Sequence, residues 1–151
     1  MEVNSTVVIY TAGKITPEFG YVALVGVIMF FVHNVFTLKV AMARKKYGIL
    51  PPRMIDSETP DEYNRVQRVH LNNTENLPSF FFFLLASGIG FPIPAAVSGL
   101  VYVLGRIFGA IGYYKAAKKR SWGSFFHVGE FALVVLTAVF AFFLILDKPA
   151  Y

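Results

Sequence analysis

"RVQRVHLNNTENLPSFFFFLL", residues Arg65–Leu85, changes its chemical character halfway along. The first half carries arginine, asparagine, histidine and glutamate side chains, whereas the second half is rich in phenylalanine and leucine. The preceding segment has the features of a helix start, with Thr59 as the N-cap, Pro60 at the first helical position and Glu62 at the third. We therefore predict a single helix that begins in water, carries polar side chains to a membrane border and continues into the hydrocarbon core.

The composition of the whole chain favours a membrane location. Its 151 residues are 56% hydrophobic and only 15% charged, whereas a soluble domain has about 25% charged residues. Four apolar stretches approach the roughly 20 residues that a spanning helix needs, and we predict helices over about residues 19–43, 60–90, 94–118 and 123–147. The predicted fold class is all-α, a polytopic membrane protein with four transmembrane helices in an up-down bundle, and residues 1–151 form a single domain.

Lysines and arginines are concentrated in two of the connections between these predicted helices. Around the first connection lie Lys39, Arg44, Lys45, Lys46, Arg53, Arg65 and Arg68. The third connection contains Lys115, Lys118, Lys119 and Arg120, whereas the short turn "GIGFPIP" at residues 88–94 contains no basic residue. The positive-inside rule then places both basic connections in the cytoplasm, and both termini, with the glycosylation sequon at Asn4, on the opposite side. We interpret most of these lysines as anchors at the membrane border.

A polar stripe runs along one face of the second predicted helix. At about 100° per residue, five polar side chains fall within an arc of roughly 80°. They are Arg65, Arg68, Asn72, Glu75 and Ser79. Because two guanidiniums and a carboxylate are costly to expose to lipid, the stripe must face another helix, another subunit or a water-filled cleft. Either Arg68 and Glu75 form an internal salt bridge, or the stripe binds a polar, charged ligand such as a small zwitterionic peptide.

The third predicted helix carries a second polar face. Arg106, Tyr113 and Arg120 repeat every seven residues, and Gly105 and Gly109 form a pattern that allows another helix to approach closely. Tyr113 and Arg120 are candidates to reach a substrate at the cytoplasmic end of this helix. The alternative for these two is an aromatic anchor and a snorkelling arginine. Arg106 lies deeper, and we predict that it forms an ion pair with a residue of the first or the fourth helix.

Three further polar residues lie within predicted membrane segments, namely His33, His127 and Glu130. We predict interhelical hydrogen bonds for all three, because a pair of candidate ligands at His127 and Glu130 does not indicate a metal site without a third. The chain contains no cysteine, so any thiol chemistry must use a thiol that a substrate supplies. The sequence has no phosphate-binding loop and no nucleic-acid-binding module, and we expect no nucleic-acid partner.

Three segments of the chain carry a resemblance to a known family, namely "ARKKY" at Ala43–Tyr47, "RVQRVHLNNTENLP" at Arg65–Pro78 and "GRIFGAIGYYKAAKKRSWG" at Gly105–Gly123. They resemble the membrane-associated eicosanoid and glutathione metabolism (MAPEG) family, and within it the microsomal glutathione transferases. The resemblance extends over about residues 19–146. It implies a homotrimer in the endoplasmic reticulum membrane, with glutathione as co-substrate and no metal. Glutathione is then expected between neighbouring subunits, near the cytoplasmic face.

The resemblance also assigns roles to single residues. The expected glutathione-binding residues are Arg44, Arg68, His70, Asn72, Glu75, Tyr113 and Arg120. Tyr113 and Arg120 are the expected catalytic residues, and Arg120 matches the arginine proposed to stabilise the thiolate in leukotriene-forming relatives. Gly109 and Asn76 stand where some relatives have tyrosines, so the chain departs from the pattern that accompanies the substrate of the leukotriene-forming enzyme.

On this basis we predict a membrane-bound glutathione transferase with peroxidase activity. A guanidinium about 4 Å from the sulfur supplies on the order of 4 kcal/mol at an effective dielectric of about 20, and lowering a thiol pKa by about two units requires roughly 2.7 kcal/mol. The thiolate attacks a lipophilic electrophile or reduces a lipid hydroperoxide. One alternative is a non-catalytic lipid-binding membrane protein that presents fatty acids to a partner enzyme. Another is a small transporter or structural protein with an internal ion-pair network.

Overall fold

The computed structural model describes residues 15–55 and 57–146, and within these ranges all regular structure is helical. Its α-helices are α1 (Phe19–Tyr47), α2 (Asp61–Gly90), α3 (Pro92–Lys115) and α4 (Phe126–Leu146), and a 3-10 helix, Ala117–Gly123, connects α3 to α4. The predicted all-α class is confirmed. By length and composition α1, α3 and α4 can cross a membrane, whereas α2 is polar in its first half. The sequon at Asn4 lies outside the described residues.

Three helix ends differ from the prediction. Helix α1 continues to Tyr47, where Gly48 adopts a left-handed conformation with φ 65° and donates its backbone N–H to the Arg44 carbonyl, a common way to end a helix. Helix α3 ends at Lys115 because Ala116 is extended, and the chain then forms the 3-10 helix. The last helix therefore begins at Phe126 and not near residue 123.

The start of α2 also differs in detail. The helix begins at Asp61, and no side chain caps it, so the predicted N-cap role of Thr59 is wrong. The Thr59 hydroxyl instead contacts the Asn64 side chain. Glu62 accepts hydrogen bonds from the Lys46 ammonium, at 3.0 Å, and from the Tyr47 hydroxyl. These bonds tie the beginning of α2 to the end of α1.

Helices α2 and α3 form the centre of the bundle, since each packs against all three other α-helices. An aromatic column connects three of the elements. The rings of Phe80 and Tyr102 stack with centroids 4.5 Å apart, and Tyr102 meets Phe126 edge to face at 5.7 Å. Leu84 and Met29 are completely buried beside this column. The core therefore orients α2 against α3, which carry the polar stripe and the second polar face.

The predicted close approach at Gly105 and Gly109 is made by the 3-10 helix and the residues that follow it. A Cβ atom on Gly123 would lie 2.1 Å from the Gly105 carbonyl oxygen and 2.4 Å from the Gly109 nitrogen. A Cβ atom on Gly112 would lie 2.1 Å from the Lys119 carbonyl oxygen. Backbone thus rests directly on backbone here. The glycines let the chain fold back along α3 immediately after that helix ends.

We expect Gly123→Ala to lower the free energy of unfolding by about 2–3 kcal/mol, because its methyl group has no space between two backbone segments. The measurement is the thermal midpoint of the detergent-solubilised protein. Gly20→Ala is the matched control, since no atom of the described residues lies within 4 Å of a Cβ atom at that position. This control is expected to leave the free energy of unfolding unchanged or to raise it by up to about 0.5–1 kcal/mol through helix propensity, so its midpoint should not fall. Equal midpoints for the two variants would contradict the close packing at Gly123.

Candidate active site

A cavity of about 240 Å³ lies between α2, α3 and the 3-10 helix. Four residues predicted for the site line it, namely Arg68, Asn72, Tyr113 and Arg120. Phe36 of α1 and Phe126 of α4 supply apolar wall. The cavity therefore combines cationic, amide and phenol groups with an aromatic boundary.

Local helix geometry and the chain reversal together produce this arrangement. Arg68 and Asn72 are four residues apart on α2 and so share a face. Tyr113 lies in the last turn of α3. Arg120 is not part of α3, so the predicted shared helical face of Arg106, Tyr113 and Arg120 is wrong for its last member. The 3-10 helix brings Arg120 to the same cavity by folding back over the glycines of α3.

Arg106 lines the cavity from a buried position in α3, with 7% of its surface exposed. Its Nε donates a hydrogen bond to Oδ1 of Asn73, at 3.2 Å, and its Nη2 donates to the Asn72 carbonyl oxygen, at 2.7 Å. The guanidinium also lies 5.0 Å from the centre of the Phe126 ring. In the described part of the chain its partners are thus amides of α2, and the predicted ion pair with α1 or α4 is wrong.

Asn73 extends this network to a third helix. It is 1% exposed, and its amide nitrogen lies 3.1 Å from Nδ1 of His33 on α1. The predicted interhelical bond of His33 is present. The chain His33–Asn73–Arg106 joins α1, α2 and α3 below the cavity, and buried hydrogen bonds of this kind hold helices in one arrangement.

The electrostatic character of the cavity follows from its lining. Three guanidiniums border it, those of Arg68, Arg106 and Arg120, and none of the described residues that line it is acidic. Cationic groups gathered in a partly enclosed space produce a positive potential that attracts anions. The cavity is therefore suited to a ligand that carries carboxylates or a thiolate.

Arg44, His70 and Glu75, also predicted for the site, do not line this cavity. Glu75 is exposed on α2, and among the described residues no ion pair joins it to Arg68, so the internal salt bridge considered for the stripe is wrong. The Arg44 guanidinium lies 5.8 Å from the centre of the Tyr63 ring. One chain therefore brings together four of the seven predicted residues.

The surroundings of Arg44 and His70 leave polar atoms without partners. Nη1 of Arg44 and Nδ1 of His70 are buried and have no hydrogen-bond partner within the described residues. The His70 ring stacks on His33 with centroids 5.2 Å apart. Both side chains thus have hydrogen-bonding capacity that residues 15–55 and 57–146 of the same chain do not use.

Sequence reasoning did not place Asn76, Arg106 and His127 in the site, although each lines the cavity. The seven-residue spacing of Arg106 from Tyr113 was the available signal for the arginine. His127 bonds to Glu130 at 3.2 Å within α4, so the interhelical bond predicted for these two residues is wrong. Their i,i+3 spacing already permitted this local contact.

Comparisons with known proteins identify a matching family and several similar proteins. Residues 22–142 match the MAPEG family. An uncharacterised protein of Synechocystis sp. is 36% identical over 118 residues, which cover 76% of this chain and 80% of that protein. Human microsomal glutathione S-transferase 2 is 39% identical over 102 residues, 67% of each chain. Bovine leukotriene C4 synthase is 34% identical over 100 residues, 66% of this chain and 63% of its own.

Proposed function

Since the chain belongs to the MAPEG family, we propose that it is a membrane-bound glutathione transferase that holds glutathione in the cavity between α2, α3 and the 3-10 helix. The family membership predicted from the three sequence segments is confirmed, as is the likeness to microsomal glutathione transferases. The choice of this cavity as the glutathione site rests on one observation. It is the convergence of Arg68, Arg106 and Arg120 with Asn72 and Tyr113 around a space without acidic lining among the described residues.

Glutathione has the complementary chemistry. The tripeptide carries two carboxylates, peptide amides and a thiol that becomes anionic when it reacts. Guanidiniums bind carboxylates through paired, charge-assisted hydrogen bonds, and the side-chain amide of Asn72 can pair with a peptide group. Arg68 and Arg106 are then the carboxylate ligands, and Arg120 is next to the sulfur.

The proposed chemistry uses the thiolate as nucleophile. The Arg120 guanidinium favours the anionic sulfur, and the Tyr113 hydroxyl donates a hydrogen bond to it. With an epoxide, a carbon–sulfur bond forms, a carbon–oxygen bond breaks and the oxygen takes up a proton. With a lipid hydroperoxide, the sulfur takes the terminal oxygen and releases an alcohol, and a second glutathione converts the sulfenic acid to the disulfide and water. The transferase and peroxidase reactions thus share one activated sulfur.

We further propose that the working unit is a homotrimer whose sites form between subunits. The cavity of one chain is smaller than the about 300 Å³ at the lower end of ligand sites. Arg44 and His70 lie outside it and keep buried polar atoms without partners within the described residues. A neighbouring subunit that presents its half-buried Arg44 and His70 side chains to the cavity would enlarge the site.

The proposed membrane arrangement follows the distribution of charge. Residues 1–151 form one domain with four transmembrane helices, and the apolar half of α2 is the remaining span beside α1, α3 and α4. Both basic connections face the cytoplasm, where glutathione is available, and the membrane is that of the endoplasmic reticulum. Lipophilic co-substrates then arrive through the bilayer, consistent with the many large apolar side chains exposed on α1 and α4.

The test of this function is a glutathione titration of the purified protein, followed by the ultraviolet absorbance of the thiolate. We expect a saturable thiolate signal at neutral pH, because a free thiol with a pKa of about 8.5 is almost entirely protonated there. S-methylglutathione is the control, since it can bind but cannot ionise at sulfur. Absence of both signal and binding would exclude the transferase, and would favour the lipid-presenting alternative.

A further inference from the structure

A cluster of basic and aromatic side chains lies outside the cavity, where α3 leads through the 3-10 helix toward α4. The ammonium groups of Lys115 and Lys119 lie 5.5 Å and 5.4 Å from the centre of the Trp122 ring. Lys118 is exposed in the same short segment. These four residues, Lys115, Lys118, Lys119 and Trp122, are called the Trp122 cluster. Trp122 is 47% exposed even though two cations pack on it.

The charge of this cluster is not compensated nearby. The sequence contains no acidic residue between Phe91 and Glu130. In the described part of the chain, no carboxylate forms an ion pair with any of the three lysines. Lys46, by comparison, is paired with Glu62 at 3.0 Å. The Trp122 cluster thus offers unpaired positive charge to an anion.

The cluster is held in place by the backbone. The Lys119 carbonyl oxygen occupies the space that a Cβ atom on Gly112 would fill, at 2.1 Å, so the 3-10 helix rests on α3. The Trp122 ring itself lies 3.3 Å from the same Cβ position. The Trp122 ring and the backbone of Lys119 are therefore held against α3, which reduces the entropy that a ligand would otherwise have to remove.

Apolar side chains continue from the cluster toward the membrane. Phe108 lies seven residues before Lys115 on α3, hence on nearly the same face and about 10 Å away along the helix. It packs against Phe125 with ring centroids 6.0 Å apart, and the two are 48% and 40% exposed. A ligand with an anionic headgroup and acyl chains can contact both the basic and the apolar part of this surface. A soluble anion would contact only the basic part.

We infer that the Trp122 cluster is a binding site for an anionic phospholipid of the surrounding bilayer, with the phosphate at Lys115 and Lys119 and an acyl chain along Phe108 and Phe125. Juxtamembrane lysines attract the headgroups of anionic lipids. The tryptophan ring positions the ammoniums and itself prefers the membrane interface. This inference is independent of glutathione chemistry, because none of these residues lines the cavity.

The chain contains a single tryptophan, so its emission reports on this site alone. The full chain is reconstituted in phosphatidylcholine bilayers that contain a small fraction of either brominated phosphatidylglycerol or brominated phosphatidylcholine. Bromine on the acyl chains near the headgroup quenches Trp122 on contact. We expect the quenching constant of the anionic lipid to exceed that of the zwitterionic lipid roughly thirtyfold, about fivefold for each of the two lysines.

The variant Lys115→Gln/Lys119→Gln is expected to bring this ratio close to one. Lys39→Gln/Lys45→Gln removes the same charge elsewhere on the protein and is expected to keep the wild-type ratio. Quenching by brominated phosphatidylcholine verifies in every variant that Trp122 still lies at the bilayer. The single variants Lys115→Gln and Lys119→Gln give intermediate ratios and replace the double variant if it does not insert.

Three results would overturn the inference. The first is equal quenching by the two lipids in the wild type. The second is an equal fall of the ratio in both double variants, which would show attraction by the net charge of the protein and not by this cluster. The third is loss of the preference when millimolar inorganic phosphate is added, which would identify a site for soluble anions.

Discussion

Replacing Arg120 with alanine is expected to remove the thiolate absorbance of bound glutathione at neutral pH. If Arg120 lowers the thiol pKa from about 8.5 to about 6.5, the thiolate fraction at pH 7 falls in the variant from about three quarters to about 3%. Conjugation turnover at this pH then falls at least about tenfold. The measurement is a pH titration of the absorbance of the enzyme saturated with glutathione.

The titration separates a chemical from a structural role of Arg120. In the wild type the thiolate is present above the lowered pKa, whereas in Arg120→Ala the midpoint is expected near the ordinary thiol pKa, with the signal restored at high pH. Lys118→Ala is the matched control, because Lys118 lies two residues away and does not line the cavity. If the midpoint is unchanged in Arg120→Ala, the assignment is wrong and Arg68, which lines the same cavity, is the next candidate.

Mixed trimers are expected to recover activity from two inactive variants. Arg120 lines the cavity of its own chain, whereas Arg44 does not, and we propose that a neighbour supplies it. Arg44→Ala and Arg120→Ala are therefore each expected to be inactive as homotrimers. When the two are co-expressed with different affinity tags and purified on both, each mixed trimer contains one interface with both arginines intact. The expected turnover is about one third of that of the wild-type trimer, by the cyclic symmetry of a trimer.

The control for this experiment combines Arg68→Ala with Arg120→Ala. Both residues line the cavity of one chain, so no interface of a mixed trimer regains a complete site and no recovery is expected. Recovery in this control, or an active Arg44→Ala homotrimer, would refute the division of the site between subunits.

Much of the helical architecture could be predicted from local sequence patterns. Hydropathy located α1, α3 and α4, because long apolar runs can satisfy their backbone only internally in a membrane. The predicted boundaries are less accurate where packing of the next segment decides the end of a helix. The sequence predicts α3 to about residue 118, whereas the helix ends at Lys115 and the backbone of the following 3-10 helix packs on Gly112. No local propensity signals that contact.

The polar residues also divide into those whose relative position follows from local spacing and those whose partners depend on packing. Arg68 and Asn72 were placed on one face because four-residue spacing fixes their relation on a helix. The partner of Arg106 was not predictable in this way. A guanidinium accepts either a carboxylate or amide and carbonyl oxygens as its partner, and which one it finds depends on the helix that packs beside it. The structure supplies Asn73 and the Asn72 carbonyl.

By itself the sequence determined that the chain is all-α and that α1, α3 and α4 are long and apolar enough to span a membrane. It also determined which polar residues share a face of α2, and the family to which the chain belongs. These properties depend on composition, on short-range periodicity and on segments that are contiguous in the chain. Only the tertiary structure decided that Arg120 lines the same cavity as Tyr113 and Arg68. It also decided that hydrogen bonds of Arg106 join α3 to α2, and that Arg44 and His70 do not line the cavity. Those relations depend on which backbones can approach, and here the approach is set at Gly105, Gly112 and Gly123, where the segment after α3 packs back on that helix.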